Sequence, residues 1–357
     1  MNQYHYHKVI SGKAKGLGPD MMRTLLVPLA LGYGLGIRVR NYLYDKKFLK
    51  KYTVSCPVIC VGNLTAGGTG KTPLVVWLCR YLAQKNPQRP PQCAILTRGY
   101  KNQKYQTDET ALLEKKSEVR VIVNPDRVAG AHRAMGLEAV DVLIMDDGFQ
   151  HRRLSRDLDI VAIDATNPFG FSRCLPAGLL REPIVGLKRA QCVVITRCDQ
   201  VSASMLDTVE KTVVSVKPNL VTAQTVHAPV KIGFLDGSEA DIGSINGKRI
   251  FAFCGIGNPN AFFSTVRQIG ATLVGTRVFN DHYHCTPTDI DALHRKALGV
   301  GAEMLLTTEK NFFDVQNTRL SSSLPIGFLS VALSFITGED RVKELIEKTL
   351  DGKISHT

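Results

Sequence analysis

After Pro57 the chain alternates short apolar runs with longer amphipathic stretches. The runs at 58–61, 94–97, 119–123, 142–145, 160–163 and 193–196 are apolar at nearly every position, without the polar alternation of a half-exposed strand. Continuous runs of this length predict strands buried on both faces of a mainly parallel sheet, with helices packed on each side. The fold class is therefore α/β, a doubly wound sheet flanked by helices. A second, smaller α/β unit is expected from near Lys248. There a strand leads into a glycine turn, followed by a helix over 261–269 and another strand over 273–278. Short alternating segments over 220–243 are expected to link the two. The expected organisation is an N-terminal segment 1–50, a nucleotide-binding domain 51–225 and a C-terminal domain 226–357 whose last helix packs back on the first.

Ahead of this, a helix is expected over 20–44, with Asp20 as its N-cap. Its apolar stretch 25–37 contains Pro28 and three glycines, and falls below the ~20 residues that a bilayer span requires. Of the first 51 residues, ten are Lys or Arg against only Asp20 and Asp45, so much of the chain's net charge of +13 lies there. An apolar stretch followed by Arg38, Arg40, Lys46, Lys47, Lys50 and Lys51 predicts a helix lying in a membrane interface, its cations meeting anionic lipid. Nucleic acid is not the expected partner, because basic residues interleaved with stacking aromatics are missing. Nine cysteines without a Cys-x-x-Cys spacing read as free thiols in a reducing compartment, which argues against a disulfide framework or a zinc site.

The strand at 58–61 runs into Gly62-Asn63-Leu64-Thr65-Ala66-Gly67-Gly68-Thr69-Gly70-Lys71-Thr72-Pro73. Thr65 occupies the first glycine position of the strict phosphate-loop pattern. The remainder, set between strand and helix, has the context that phosphate chemistry needs: amides lining a concavity and a helix N-terminus adding positive potential. Thr65 through Thr72 are the expected nucleotide contacts, with Lys71 reaching the β- and γ-phosphates and the Thr72 hydroxyl on Mg²⁺. A metal also needs an acid at the end of a neighbouring strand. Asp146 and Asp147 supply it: one of the two would hold the metal and the other orient the nucleophile.

Four strings in this order resemble the tetraacyldisaccharide 4′-kinases: the loop at 62–73; Leu96-Thr97-Arg98-Gly99-Tyr100 with Asp108-Glu109; Asp146-Asp147-Gly148-Phe149-Gln150-His151-Arg152; and Leu175-Pro176-Ala177-Gly178-Leu179-Leu180-Arg181-Glu182-Pro183. Phe279-Asn280-Asp281-His282 and Thr307-Thr308-Glu309-Lys310 extend the likeness into the second half. Members commonly place Asp after that lysine, where this chain has Asn311. The resemblance implies a kinase using ATP and Mg²⁺ to phosphorylate the 4′-hydroxyl of a lipid disaccharide at the cytoplasmic face of the bacterial inner membrane. It further implies an Asp-His pair, with Asp108 as base and His282 tuning it, and Glu109 as a metal ligand. Gln150, His151 and Arg181 are expected near the acceptor, and a monomer is expected. Two rival readings are a phosphate-loop GTPase or metallochaperone-type switch, suggested by Thr196-Arg197-Cys198-Asp199 after an apolar strand, and a membrane adaptor that binds nucleotide only for regulation.

Overall fold

The computed structural model describes residues 3–85, 88, 90–99, 106–137, 140–280, 283, 285–316 and 324–354. Contacts divide the chain into two units, His5–Val226 with Leu333–Thr357, and His227–Ala332. In chain order, the first contains α1 (Gln3–Ile10), α2 (Leu17–Asp45), β1 (Val58–Asn63), α3 (Lys71–Lys85), β2 (Cys93–Thr97), α4 (Gln106–Ser117), β3 (Arg120–Val123), α5 (Arg127–Leu137), β4 (Val142–Asp146), β5 (Leu158–Asp164), β6 (Cys192–Thr196), α6 (Ala203–Val216) and the first half of β7 (Val221–Phe234). Its strands follow the order β7-β6-β5-β1-β4-β2-β3, and every one of these pairs is parallel.

Buried side chains alternate to both faces of this sheet. Val58 and Cys60 of β1 join Val128, Ala131 and Ala134 of α5 and Val209 and Val213 of α6 in one layer. Ile59 and Val61 join Leu74, Leu78 and Leu82 of α3 in the other. β1 is central, between β4 and β5, so the loops at the carboxyl ends of these three strands converge where α/β sheets bind ligands.

The second unit continues with β8 (Glu239–Asp241), β9 (Arg249–Cys254), α7 (Pro259–Gln268), β10 (Thr272–Val278), α8 (Pro287–Gly299), β11 (Met304–Thr308), α9 (Glu309–Gln316) and the first half of β12 (Ile326–Thr337). Its parallel strands run β10-β9-β11-β12, while β8 pairs antiparallel with β7. Asn311 is buried at the start of α9, where its Oδ1 accepts from the Gly255 amide (2.8 Å) and the Thr308 hydroxyl (2.9 Å). The final helix, α10 (Glu339–Ile354), belongs to the first unit, where Val342, Ile346 and Leu350 pack in the α3 layer. The stretch expected to link the units by short segments contains instead one 14-residue strand, β7, whose Pro229 lies between the residues paired with β6 and those paired with β8.

The N-terminal helix also departs from expectation. It starts at Leu17 with Gly16 at the cap, so Asp20 sits in the first turn and pairs with Arg23, where a carboxylate complements the helix dipole. It passes through Pro28 and runs 29 residues, about 43 Å at 1.5 Å per residue. By length and composition this is enough to cross a membrane, so the short apolar count understated the helix. Leu17, Met21, Leu25, Leu29, Leu35, Val39 and Tyr42 share one face, and each is more than half exposed. Ala30, Gly34 and Tyr44 are buried on the opposite face.

An apolar stripe of this length facing outward on a packed helix marks a surface suited to lipid. Replacing Leu25, Leu29 and Leu35 together by Ser is expected to cut co-sedimentation with anionic vesicles at least about tenfold, since each leucine loses the transfer energy of its side chain. Unchanged vesicle binding with unchanged circular dichroism would exclude the stripe from any lipid contact.

Candidate active site

The loop leaving β1 is shaped by what holds its carbonyls. Asn63 is fully buried, and its Nδ2 donates to the Thr65 carbonyl (2.7 Å) and to Thr69 Oγ1 (3.0 Å). Gly67 and Gly70 take φ of 115° and 83°, the left-handed region that favours glycine. Thr65, at the position where the strict pattern has glycine, forms an extended bridge with Leu180. An extended backbone needs no glycine. Alongside it, the Ala66 amide donates to the Leu179 carbonyl and the Arg181 amide to the Leu64 carbonyl, both at 2.7 Å. The segment 173–182 thus lies along the loop, and it commits the Ala66 amide to Leu179. α3 begins at Lys71, with Pro73 in its first turn, where a missing N–H costs nothing.

The end of β4 faces this loop. Gly62 makes the approach possible: a Cβ there would lie 2.5 Å from Cβ of Phe149. Asp147, with φ of 51°, accepts from Arg181 Nη1 on both oxygens (2.8 Å each) and lies 3.4 Å from Lys71 Nζ. Burial alone would raise its carboxyl, but Lys71 and Arg181 outweigh burial and hold it below the usual carboxylate range. Asp146 differs. Burial first, and then the charge of Asp147, push its carboxyl up to about 6 against the pull of Lys71 and Arg127. Arg127, at the start of α5, donates to the carbonyls of Asn124 (2.8 Å) and Asp146 (3.3 Å); burial brings its guanidinium down to about 10.

Asp146 Oδ1 is buried without a hydrogen-bond partner among the described residues. Such an orphaned oxygen beside a phosphate loop fits a cation, and Mg²⁺ is held by one or two carboxylates plus substrate phosphates rather than by an all-protein cage. In keeping with that, no group of three His, Cys, Asp or Glu suited to a metal occurs among the described residues.

Behind the acids, Glu182 is fully buried and collects three donors: Gln150 Nε2 at 2.9 Å, Arg189 Nη2 at 2.8 Å and Asn41 Nδ2 of α2 at 3.3 Å. The Gln150 amide also donates to the Asn63 carbonyl at 2.8 Å, and the Arg189 guanidinium stacks over Phe149 at 4.4 Å. His151 is half-buried. Burial first, then the charge of Arg127, push its imidazole down to about 4, so the ring is neutral near pH 7.

The structure therefore gathers Lys71, Asp146, Asp147 and Arg181 at one place, with Gln150 and His151 on the loop that follows. Thr72 is exposed in the first turn of α3. Asp108 and Glu109 lie on α4, but their side chains, like the whole of His282, fall outside the described residues. Arg181, expected near the acceptor, is engaged with Asp147, while Glu182 takes Arg189. Sequence reasoning missed Arg127, which has only an Asn-Pro-Asp turn before it as a signal. It also missed the bracing roles of Asn63 and Glu182, although both lie inside strings that were singled out.

Two outcomes follow from these charges. Asp146 keeps a proton in the folded chain between its ordinary 3.8 and about 6, where the unfolded chain has lost it, so its contribution to stability declines as pH rises through that window. A cation needs the ionised form. The rise in melting temperature given by Mg²⁺ with ATP is therefore expected to shrink as pH falls from 7 to 5, and Asp146→Asn should abolish that dependence; a shift that ignores pH would separate Asp146 from the metal. Glu182→Leu leaves the Arg189 guanidinium without its anion and should cost about 3 kcal/mol in denaturant unfolding. A cost under about 1 kcal/mol would show that Glu182 is not the hub described.

Residues 22–351 match the family described as tetraacyldisaccharide-1-P 4′-kinase. The tetraacyldisaccharide 4′-kinase of Halothermothrix orenii is 34% identical over 78% of this chain and 79% of its own, and that of an Anaeromyxobacter species is 34% identical over 92% of each. A crystal structure of "apo" form LpxK from Aquifex aeolicus in complex with ATP superposes with a TM-score of 0.69 at 28% identity, covering 92% of this chain and 99% of that one. With a family match over residues 22–351 and relatives 34% identical over most of its length, the chain belongs to the tetraacyldisaccharide 4′-kinase family.

Proposed function

We propose that this kinase transfers the γ-phosphate of ATP to the 4′-hydroxyl of a tetraacyldisaccharide 1-phosphate at the cytoplasmic face of a bacterial inner membrane. The observation that carries the reading is the convergence of Lys71, Asp147, Arg181 and the orphaned Asp146 oxygen beside the loop at 64–70. Phosphoryl transfer asks for charge stabilisation on the γ-phosphate and for a base that accepts the hydroxyl proton. Lys71 and the N-terminus of α3 meet the triphosphate, and Arg181 is within one side-chain movement of the same charge. Asp146 and Thr72 are the residues that would hold Mg²⁺, with Glu109 as a further ligand; the ion would neutralise phosphate charge. As the acceptor oxygen bonds to phosphorus and the bond to the leaving ADP breaks, Asp108 takes the hydroxyl proton and His282 tunes that carboxylate. This pair rests on the family resemblance alone. Gln150 and His151 belong to the acceptor side in this reading, with the neutral imidazole suited to hydrogen bonding with a sugar hydroxyl.

The exposed stripe of α2 supports a membrane position, because an acceptor with four acyl chains presents its sugar at the lipid surface. α2 is read as interfacial: its Ala30 face packs on protein, and the Lys and Arg residues at 46–51 follow directly.

Label from γ-labelled ATP is expected on the lipid disaccharide in the presence of Mg²⁺, and chelation should remove it. Lys71→Ala should abolish transfer. Asp108→Ala and His282→Ala should each lower turnover by about a hundredfold or more with little change in ATP affinity. Label released as free phosphate, mainly from GTP, would overturn the reading in favour of a switch, and no turnover of either nucleotide would favour an adaptor.

A further inference from the structure

The string Thr196-Arg197-Cys198-Asp199 has no role in the transfer described above, and neither of its first two side chains is turned to solvent. Thr196 is fully buried at the end of β6, and its hydroxyl donates to the Thr69 carbonyl at 3.0 Å. Arg197 is nearly as buried. Its Nη1 donates to the Gly68 carbonyl at 3.1 Å and to Asp164 at the end of β5. Asp164 Oδ1 in turn accepts from the Thr166 amide (3.0 Å) and hydroxyl (2.7 Å), which fixes the carboxylate that fixes the guanidinium. Arg197 takes a left-handed φ of 59°, uncommon for a side chain with Cβ and kept where the surroundings require it.

We propose that Thr196 and Arg197, with Asp164 behind them, are positioning residues for the donor: they tie the Gly68 and Thr69 carbonyls outward and so aim the Thr69 and Gly70 amides at the nucleotide phosphates. The reason is the planar trans peptide, in which the C=O of one residue and the N–H of the next point in opposite directions. A donor pulling on the Gly68 carbonyl therefore turns the Thr69 amide the other way. The hydroxyl pulling on the Thr69 carbonyl does the same for the Gly70 amide. This matters because the neighbouring Ala66 amide is already committed to Leu179, which leaves the amides after Gly67 to carry phosphate recognition. Stability alone explains the arrangement poorly, since a buried ion pair is often replaceable by apolar residues without loss.

The inference rests on the loop at 64–72 being the ATP site, and the test separates the two. Calorimetric ATP binding, steady-state KM for ATP and for the lipid acceptor, and melting temperature are measured on the full chain and on Arg197→Met, Arg197→Lys and Thr196→Val. Arg197→Met is expected to weaken ATP about tenfold or more and Thr196→Val about fivefold. Arg197→Lys should recover part of the loss, and the KM for the lipid should stay within about twofold throughout, since only donor amides are misdirected. ATP affinity unchanged in Thr196→Val, or ATP and lipid affinities lost in equal measure, overturns the proposal. Should Arg197→Met fail to fold, Thr196→Val carries the same decision, because valine matches threonine in shape. A wild-type chain that binds ATP but phosphorylates no lipid would defeat the proposed function and leave this inference standing. A wild-type chain that binds no ATP defeats both.

Discussion

The loop between β1 and α3 can turn amides toward an anion only because its carbonyls are tied elsewhere. Each backbone carbonyl in a buried loop needs a donor, and here the donors come from three parts of the first unit. Arg181 holds Leu64, Asn63 holds Thr65, Arg197 holds Gly68 and Thr196 holds Thr69. Asn63, Thr196 and Arg197 sit at the carboxyl ends of the parallel strands β1 and β6, and Arg181 sits on the segment 173–182 alongside the loop. The tolerance of Thr65 follows from the same constraint. Once residues 173–182 run alongside in extended form, that position is bridged like a strand, and the left-handed backbone that favours glycine falls at Gly67 and Gly70 instead.

Charge is organised around the same loop. Asp147 is paired twice, with Lys71 and Arg181, and its carboxylate is held ionised. Asp146 next to it is half-buried, carries a buried Oδ1 without a hydrogen-bond partner among the described residues, and is pushed toward neutrality. Adjacent residues are thus driven in opposite directions by their surroundings: one carboxylate is held ionised by two cations, and the other is pushed toward its neutral form. Arg127 moderates that second state, fixing the Asp146 carbonyl while its own charge opposes the rise of the carboxyl.

Much of the first unit was legible in the sequence because its strands are buried on both faces and read as unbroken apolar runs. The runs at 58–61, 142–145 and 193–196 lie inside β1, β4 and β6, and the acids at 146–147 fall at a strand end beside the loop. Partner choice was not legible. Arg181 joins Asp147 across 34 positions of sequence, and Glu182 joins Asn41 across 141, so neither pairing leaves a local spacing to read. The extent of α2 was legible to within three residues, 20–44 against Leu17–Asp45, although its cap is Gly16 and not Asp20. Pro28 and the glycines are poor helix formers in water, but Gly34 is buried on the packed face, where a Cβ would lie 3.7 Å from Cys174 Sγ, and Pro28 is exposed on the other. Tertiary contact overrides propensity at those positions.

The fastening of α2 shows how the parts depend on one another. Tyr33 donates to the Arg181 carbonyl at 2.8 Å, Tyr6 of α1 to the Pro176 carbonyl at 2.6 Å, and Asn41 to Glu182, while Arg152 returns to the Asn41 carbonyl at 2.9 Å and pairs with Asp45. All but the last two of these contacts fall on residues 173–182, the stretch that lies along the phosphate loop and sends Arg181 to Asp147. The helix that presents an apolar face outward is therefore tied by polar contacts to the backbone that lies along the loop. Its exposed leucines are left free of any packing duty within the first unit. A segment so divided, polar and specific toward the catalytic loop and apolar outward, has the construction expected where a soluble phosphotransfer site must work on a molecule that stays in a lipid surface.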